Sequence, residues 1–125
     1  MTTFRKHERL CSPKLVAALF NKQGFAVSHA HILLIALSCS LPVAQPFQVL
    51  FTVSKKKFPH AVDRNLIKRR MRESFRHNKE ALLRGIPTGQ QFALAIVYRQ
   101  TEAHSFSEIN NSLQQVIHGF TKRLA

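Results

Sequence analysis

The chain has 125 residues, enough for one domain with a true hydrophobic core. It carries 19 Lys and Arg against six Asp and Glu, a formal charge of +13, while 45% of its residues are hydrophobic. That apolar content excludes a disordered polybasic tail, and the charge points to a polyanionic partner, nucleic acid by default. Cys11 and Cys39 stand far apart with no C-x-x-C pair, and read as reduced thiols of a cytoplasmic protein. The opening MTTFRKHERL lacks an apolar h-region and is not expected to be a signal peptide.

In chain order, Ser12-Pro13 reads as N-cap and first helical position. Leu15, Val16, Leu19 and Phe20 give that helix its apolar face, with Gly24 as the expected stop. His31 to Leu37 has the continuous apolar character of a strand covered on both faces. Phe47, Val49, Phe51 and Val53 alternate with Gln48 and Thr52, a half-buried strand that ends at lysines. The stretch from Ile32 to Val53 is too interrupted for a membrane span of about 20 apolar residues. Ser38-Cys39-Ser40, Pro42, Gln45, Pro46 and Gln48 divide it, so two strands with a loop between them fit better. A long helix should start near Ala61 and stop before Gly85, where Pro87 and Gly89 turn the chain. Phe92, Leu94, Ile96 and Tyr98 share one face of a further strand. Ser105-Phe106-Ser107-Glu108 has capping-box spacing, and Ile109, Leu113, Val116, Ile117, Phe120 and Leu124 follow at helical intervals.

The most informative segment is Lys55 to Lys79. It holds ten of the 19 cations and only two carboxylates, Asp63 and Glu73, a local excess of +8. At about 100° per residue, Ile67, Met71, Phe75, Asn78 and Leu82 fall in one narrow arc. Lys68, Lys79, Arg72, Asn65, Arg76 and Arg69 lie immediately beside it, whereas Arg64 and Arg70 fall elsewhere on the wheel. The cations therefore sit on a rigid helix docked to a core, which is a built surface.

Ala61-Val62-x-Arg64-Asn65-x-x-Lys68-Arg69-x-x-Arg72, preceded by Lys55-Lys56-Lys57, resembles the signature of the bacterial ribonuclease P protein subunit. Glu8-Arg9-Leu10, followed by a short helix ending in Leu19-Phe20, is similar to that family's N-terminus. The order strand, strand, basic helix, strand, helix also matches. Two departures stand out. Leu66 replaces the third residue of the family's usual Arg-Asn-Arg, and Phe58-Pro59-His60 replaces the usual glycine before Ala-Val. Leu66 is either a lost RNA contact or, as the reading favoured here, a packing residue that clamps the Phe58-Pro59 turn while Arg70 partly supplies the charge.

The resemblance implies an α+β fold: a small mixed sheet of about four strands with three helices. It further implies a left-handed strand–helix–strand crossover, as in the ribosomal protein S5 domain 2-like fold. In that family a large RNA subunit, with Mg²⁺, cuts the 5′ leader from precursor tRNA, and the protein binds that RNA and the leader. Carried over by position, the RNA-binding residues are Lys55, Lys56, Lys57, Arg64, Asn65, Lys68, Arg69, Arg72 and Arg76. The leader cleft would use Leu15 and Phe20, with Tyr98 as a further stacking candidate.

No catalytic residue is expected in the chain itself. Its carboxylates, Glu8, Asp63, Glu73, Glu80, Glu102 and Glu108, include no D-x-D or other cluster suited to two-metal hydrolysis. His29-x-His31 could place two imidazoles on one strand face, but no third ligand stands near in sequence, so no metal is expected in the protein. Mg²⁺ would be held mainly by RNA. A ribosomal or other structural RNA-binding protein is the main alternative. A DNA-binding helix lacks its helix–turn–helix partner, and a stand-alone nuclease lacks carboxylates. Neither DNA nor a membrane is an expected partner.

Overall fold

The computed structural model describes residues 8–10, 12–21, 24–42 and 44–124; Cys11 lies outside them. The elements are α1 (Pro13–Phe20), β1 (Phe25–His29), β2 (Ile32–Ser38), β3 (Phe47–Thr52), α2 (Ala61–Gly85), β4 (Phe92–Tyr98) and α3 (Phe106–Leu124). The four strands form one mixed sheet in the order β1-β2-β4-β3. β1 pairs with β2, and β2 with β4, antiparallel; β3 and β4 are parallel neighbours joined through α2.

The sheet is covered on both faces because its central strand is apolar on both. On one face Phe92, Leu94 and Ile96 of β4 join Ile32 and Leu34 of β2 and Phe47, Val49 and Phe51 of β3. That layer packs against Ile67, Met71, Phe75 and Leu82 of α2 and Ile109, Leu113, Val116 and Phe120 of α3. Phe75 meets Phe47 and Phe51 edge-on, with ring centroids 5.5 and 5.7 Å away. The other face of β4 presents Ala93 and Ala95, whose small side chains let α1 lie close. Leu10 and Leu19 complete this second cluster, with Leu15, Val16, Ile35, Leu37 and Leu50 around them.

The predicted stripe of α2 is buried along its whole length, Asn78 included. Asn78 is polar because it pins α2 to α3. Its Nδ2 donates to Asn110 Oδ1 (2.9 Å) and to the Ser74 carbonyl (2.8 Å), while Ser74 Oγ donates to Asn110 Oδ1 (2.8 Å). The capping residues behave as their spacing predicts. Ser12 Oγ accepts from Leu15 N–H (3.4 Å), and Ser105 Oγ accepts from Glu108 N–H (3.3 Å).

Four expectations change. β1 is an element the chain-order reading did not separate, since Phe25–His29 alternates too weakly, with only Phe25 and Val27 half-buried. Gly24 does not stop α1, which ends at Phe20 with Asn21 as its C-cap. Gly24 is instead required where the chain meets β2: a Cβ there would lie 1.8 Å from the Ala36 carbonyl oxygen. His29 and His31 do not share a strand; they flank the β1–β2 turn, where Ala30 takes a φ of 46°. Lys79, read as part of the basic face, is buried and pairs with the buried Glu8 at 2.7 Å. The segment from Ile32 to Val53 forms β2 and β3, and no helix among the described residues is long and apolar enough to cross a membrane.

Candidate nucleic-acid interface

The burial of one side of α2 decides what its other side can do. With Ile67, Met71 and Phe75 locked in the core, Asn65, Lys68, Arg69 and Arg72 are carried on the outward flank. From Asn65 to Arg76 the helix rises about 16 Å. At its N-terminal end the lysine turn adds to the strip. Ser54 Oγ accepts from Lys56 N–H (3.2 Å) and Lys57 N–H (3.4 Å), and the Ser54 carbonyl accepts from Phe58 N–H (2.9 Å). This fixes a compact turn from which all three lysines are exposed. Lys57 Nζ reaches back to the Arg99 carbonyl at 3.1 Å.

Among the described residues, Lys55, Lys56, Lys68, Arg69 and Arg72 have no carboxylate within ion-pair distance. Such a row repels itself until an outside polyanion neutralises it. Lys68 and Arg72, together with Arg9, border a hollow of about 200 Å³ against Val49, Leu50 and Phe51 of β3. Arg9 is the residue that sequence order could not place there; the bridge from Arg9 to Val49 brings the N-terminal segment alongside β3. Larger hollows of about 410 and 470 Å³ elsewhere have no Lys or Arg in their walls, and one of about 390 Å³ sets Arg84 beside Glu80, so the cluster of cations rather than size marks the interface.

Other predicted cations do different work. The Arg64 guanidinium donates to the Phe58 carbonyl (2.8 Å) and the Pro59 carbonyl (3.0 Å), holding the turn before α2. Phe58 is buried in the core beside Tyr98, whereas Leu66 is half-buried and belongs to neither apolar cluster. The side chain that clamps the Phe58-Pro59 turn is therefore Arg64, not Leu66. Arg70 donates to the His104 carbonyl at 2.6 Å, on the α3 side, and so does not supply the charge missing at position 66. Arg76 is partly neutralised by Glu73: its Nε donates at 3.3 Å and its Nη2 contacts the other carboxylate oxygen. That hydrogen bond holds the Glu73 carboxyl below its ordinary value and raises Arg76.

The proposed leader residues also separate. Phe20 is 47% exposed at the end of α1, an unusual position for a large aromatic and a free face for stacking. Leu15 packs half-buried against the second apolar cluster. Tyr98 is a correction: it is only 2% exposed and its hydroxyl is engaged inside the protein, so it offers no stacking face. Among the described residues α2 lies between two parallel strands with no partner helix a short turn away, which is not a helix–turn–helix arrangement.

Comparison with known proteins places the chain in a family. The family model described as Ribonuclease P matches residues 4–121. A Ribonuclease P protein component from Chlorobium phaeobacteroides is 33% identical over 94% of this chain and 88% of its own length. One from Chlorobaculum tepidum is 45% identical over 67% of this chain and 59% of its own. Among solved structures, the RNase P protein of Staphylococcus aureus superposes with a TM-score of 0.69 at 25% identity, covering 90% of this chain and 94% of that one. The Thermotoga maritima protein shares the fold, with a TM-score of 0.68 over 88% of this chain and 94% of that one, at 22% identity. With fold, basic helix and family model in agreement, this chain belongs to the ribonuclease P protein family.

Proposed function

We propose that this protein is the accessory subunit of a cytoplasmic ribonuclease P, binding the catalytic RNA through the α2 strip and the lysine turn. The observation that carries this reading is the row of cations that, among the described residues, have no carboxylate partner, on a helix whose opposite side is locked in the core. Catalytic RNA and precursor tRNA are both polyanions. A basic subunit between them lowers their repulsion by releasing condensed counterions. Lys55, Lys56, Lys68, Arg69 and Arg72 take phosphates, and Asn65 hydrogen-bonds sugar or base edges. Phe20 stacks on a base of the 5′ leader. Bond breaking belongs to the RNA and the Mg²⁺ it holds, because the chain's six carboxylates are scattered and form no two-metal site.

The test is reconstitution with the cognate RNA and precursor tRNA in Mg²⁺. RNA-free protein should not cleave, and adding it to the RNA should improve leader removal. Arg69→Ala and Arg72→Ala should each weaken RNA binding and lower the slope of log K against log salt by about 0.7–0.9. Phe20→Ala should weaken precursor tRNA more than mature tRNA, by about 1–3 kcal/mol. Leader cleavage by protein alone, or unchanged affinity and salt slope in both Arg variants, would defeat the assignment.

A further inference from the structure

Sequence order left His31 without ligands nearby; the fold brings two to it. His31 comes from the β1–β2 turn, His104 from the loop before α3, and Glu108 from the first turn of α3. One ligand atom from each lies within 4.8 Å of the others. His31 Nε2 is 3.7 Å from Glu108 Oε2, and His104 Nδ1 is 2.6 Å from the same oxygen. We infer that His31, His104 and Glu108 form a binding site for one divalent transition-metal ion, Zn²⁺ by preference, that staples the β1–β2 turn to the start of α3.

Three features support a built site. First, the donor set is two imidazoles and one carboxylate, which leaves a fourth tetrahedral position for water. Nitrogen donors favour zinc and its neighbours over Mg²⁺. Second, the ligands are held from behind. His31 Nδ1 lies 2.8 Å from Ser112 Oγ, and a serine hydroxyl accepting from Nδ1–H leaves Nε2 as the bare lone pair facing Glu108. Glu108 Oε1 accepts from Ser105 Oγ at 3.2 Å, fixing the carboxylate while Oε2 faces the histidines. Third, the spacing is close to what an ion needs. Bonds near 2.0–2.1 Å at tetrahedral angles put ligand atoms about 3.3 Å apart, between the 2.6 and 3.7 Å seen here, so small side-chain rotations suffice. The ion takes the place of the hydrogen between His104 Nδ1 and the carboxylate, and that imidazole carries its proton on Nε2 instead. The two rings stand 4.2 Å apart, close enough to share one ion. Burial and His104 keep His31 below its ordinary value, while the hydrogen bond from His104 keeps Glu108 ionised, the protonation states a metal requires. The side chains are 18%, 24% and 51% exposed, so an ion can enter from solvent.

The experiment titrates ZnCl₂ into the metal-free full chain at neutral pH, followed by calorimetry and thermal melting, with MgCl₂ in parallel. One saturable Zn²⁺ per chain and a rise in Tm are expected, with no such rise in Mg²⁺. His31→Gln and His104→Gln should each weaken Zn²⁺ at least about tenfold, whereas His60→Gln and His118→Gln should bind like the parent. Zinc-edge X-ray absorption of the unmodified protein should show two imidazole ligands, a readout that does not depend on a variant folding. No saturable binding, an equal effect of Mg²⁺, undiminished binding in a folded His104→Gln chain, or fewer than two imidazoles in the spectrum would each overturn the site.

Discussion

Tyr98 shows how one side chain can look like a ligand contact and be a structural pin. Its hydroxyl donates to the Glu102 carbonyl (2.5 Å) and accepts from His104 N–H (2.9 Å), closing the loop between β4 and α3. Tyr98→Phe should therefore cost about 1–3 kcal/mol, because a buried N–H loses its acceptor, and should leave RNA affinity unchanged. Burial raises the Tyr98 phenol above its ordinary 10.0. The neutral phenol is thus favoured in the folded state. Its contribution is full below pH 10.0 and is lost as pH rises through the raised folded value. With one tyrosine and no tryptophan in the chain, tyrosinate absorbance reports this residue alone. The absorbance should appear only above pH 10.0 and together with loss of structure; earlier, structure-neutral ionisation would show a free hydroxyl. Ala30 is the second informative residue. Its φ of 46° lies in the left-handed region, which costs a residue with a Cβ about 1–2 kcal/mol. Ala30→Gly removes that strain against about 0.4–1 kcal/mol of added chain entropy, so a net gain of about 0.5–1 kcal/mol is expected in denaturant unfolding.

At the scale of elements, α2 has two sides with separable consequences. Phe75 is fully buried between Phe47 and Phe51, so Phe75→Ala should cost about 3–5 kcal/mol. Arg69→Ala and Arg72→Ala are exposed and should stay within about 0.5 kcal/mol of the parent in stability. Leu66 distinguishes the two sides most sharply. Arg64 already secures the turn that Leu66 was expected to clamp, and Leu66 lies outside both apolar clusters. Leu66→Arg should therefore melt nearly as the parent does. It should bind the catalytic RNA more tightly, with a salt slope steeper by about 0.7–0.9 for the added phosphate contact. A large drop in melting temperature with no gain in affinity would restore Leu66 as a packing residue.

Across the whole molecule, the N-terminal segment is tied to the far side of the domain by charge. Glu8 and Lys79 are both buried and pair at 2.7 Å, while Leu10 N–H donates to the Val49 carbonyl at 3.0 Å. Together these hold Arg9 beside Lys68 and Arg72 around the hollow over β3. Glu8→Ala takes the carboxylate from a buried ammonium and should cost about 3–5 kcal/mol. The double variant Glu8→Leu, Lys79→Met should recover much of that loss, because both buried charges are then replaced by apolar side chains. Equal destabilisation in the single and double variants would show that the pair itself is not what holds the segment.

The sequence alone determined the apolar stripe of α2, both serine-capped helix starts and the apolar faces of β3 and β4, though Gln48, read as the polar side of a half-buried strand, is buried as well. Each depends on neighbours within a turn or two of the chain, where 3.6- and 2-residue periods dictate which side chains point together. It also determined that Asn65, Arg69 and Arg72 face outward, since a stripe committed to the core turns its flank toward solvent. Only the tertiary structure decided how individual charges are used. Lys79 is buried because Glu8, 71 residues earlier, comes to meet it, and Arg64 holds the turn while Lys68 and Arg72 remain open. His31 gains His104 and Glu108 for the same reason. Pairing across such separations is set by sheet order and helix docking, which no local period encodes.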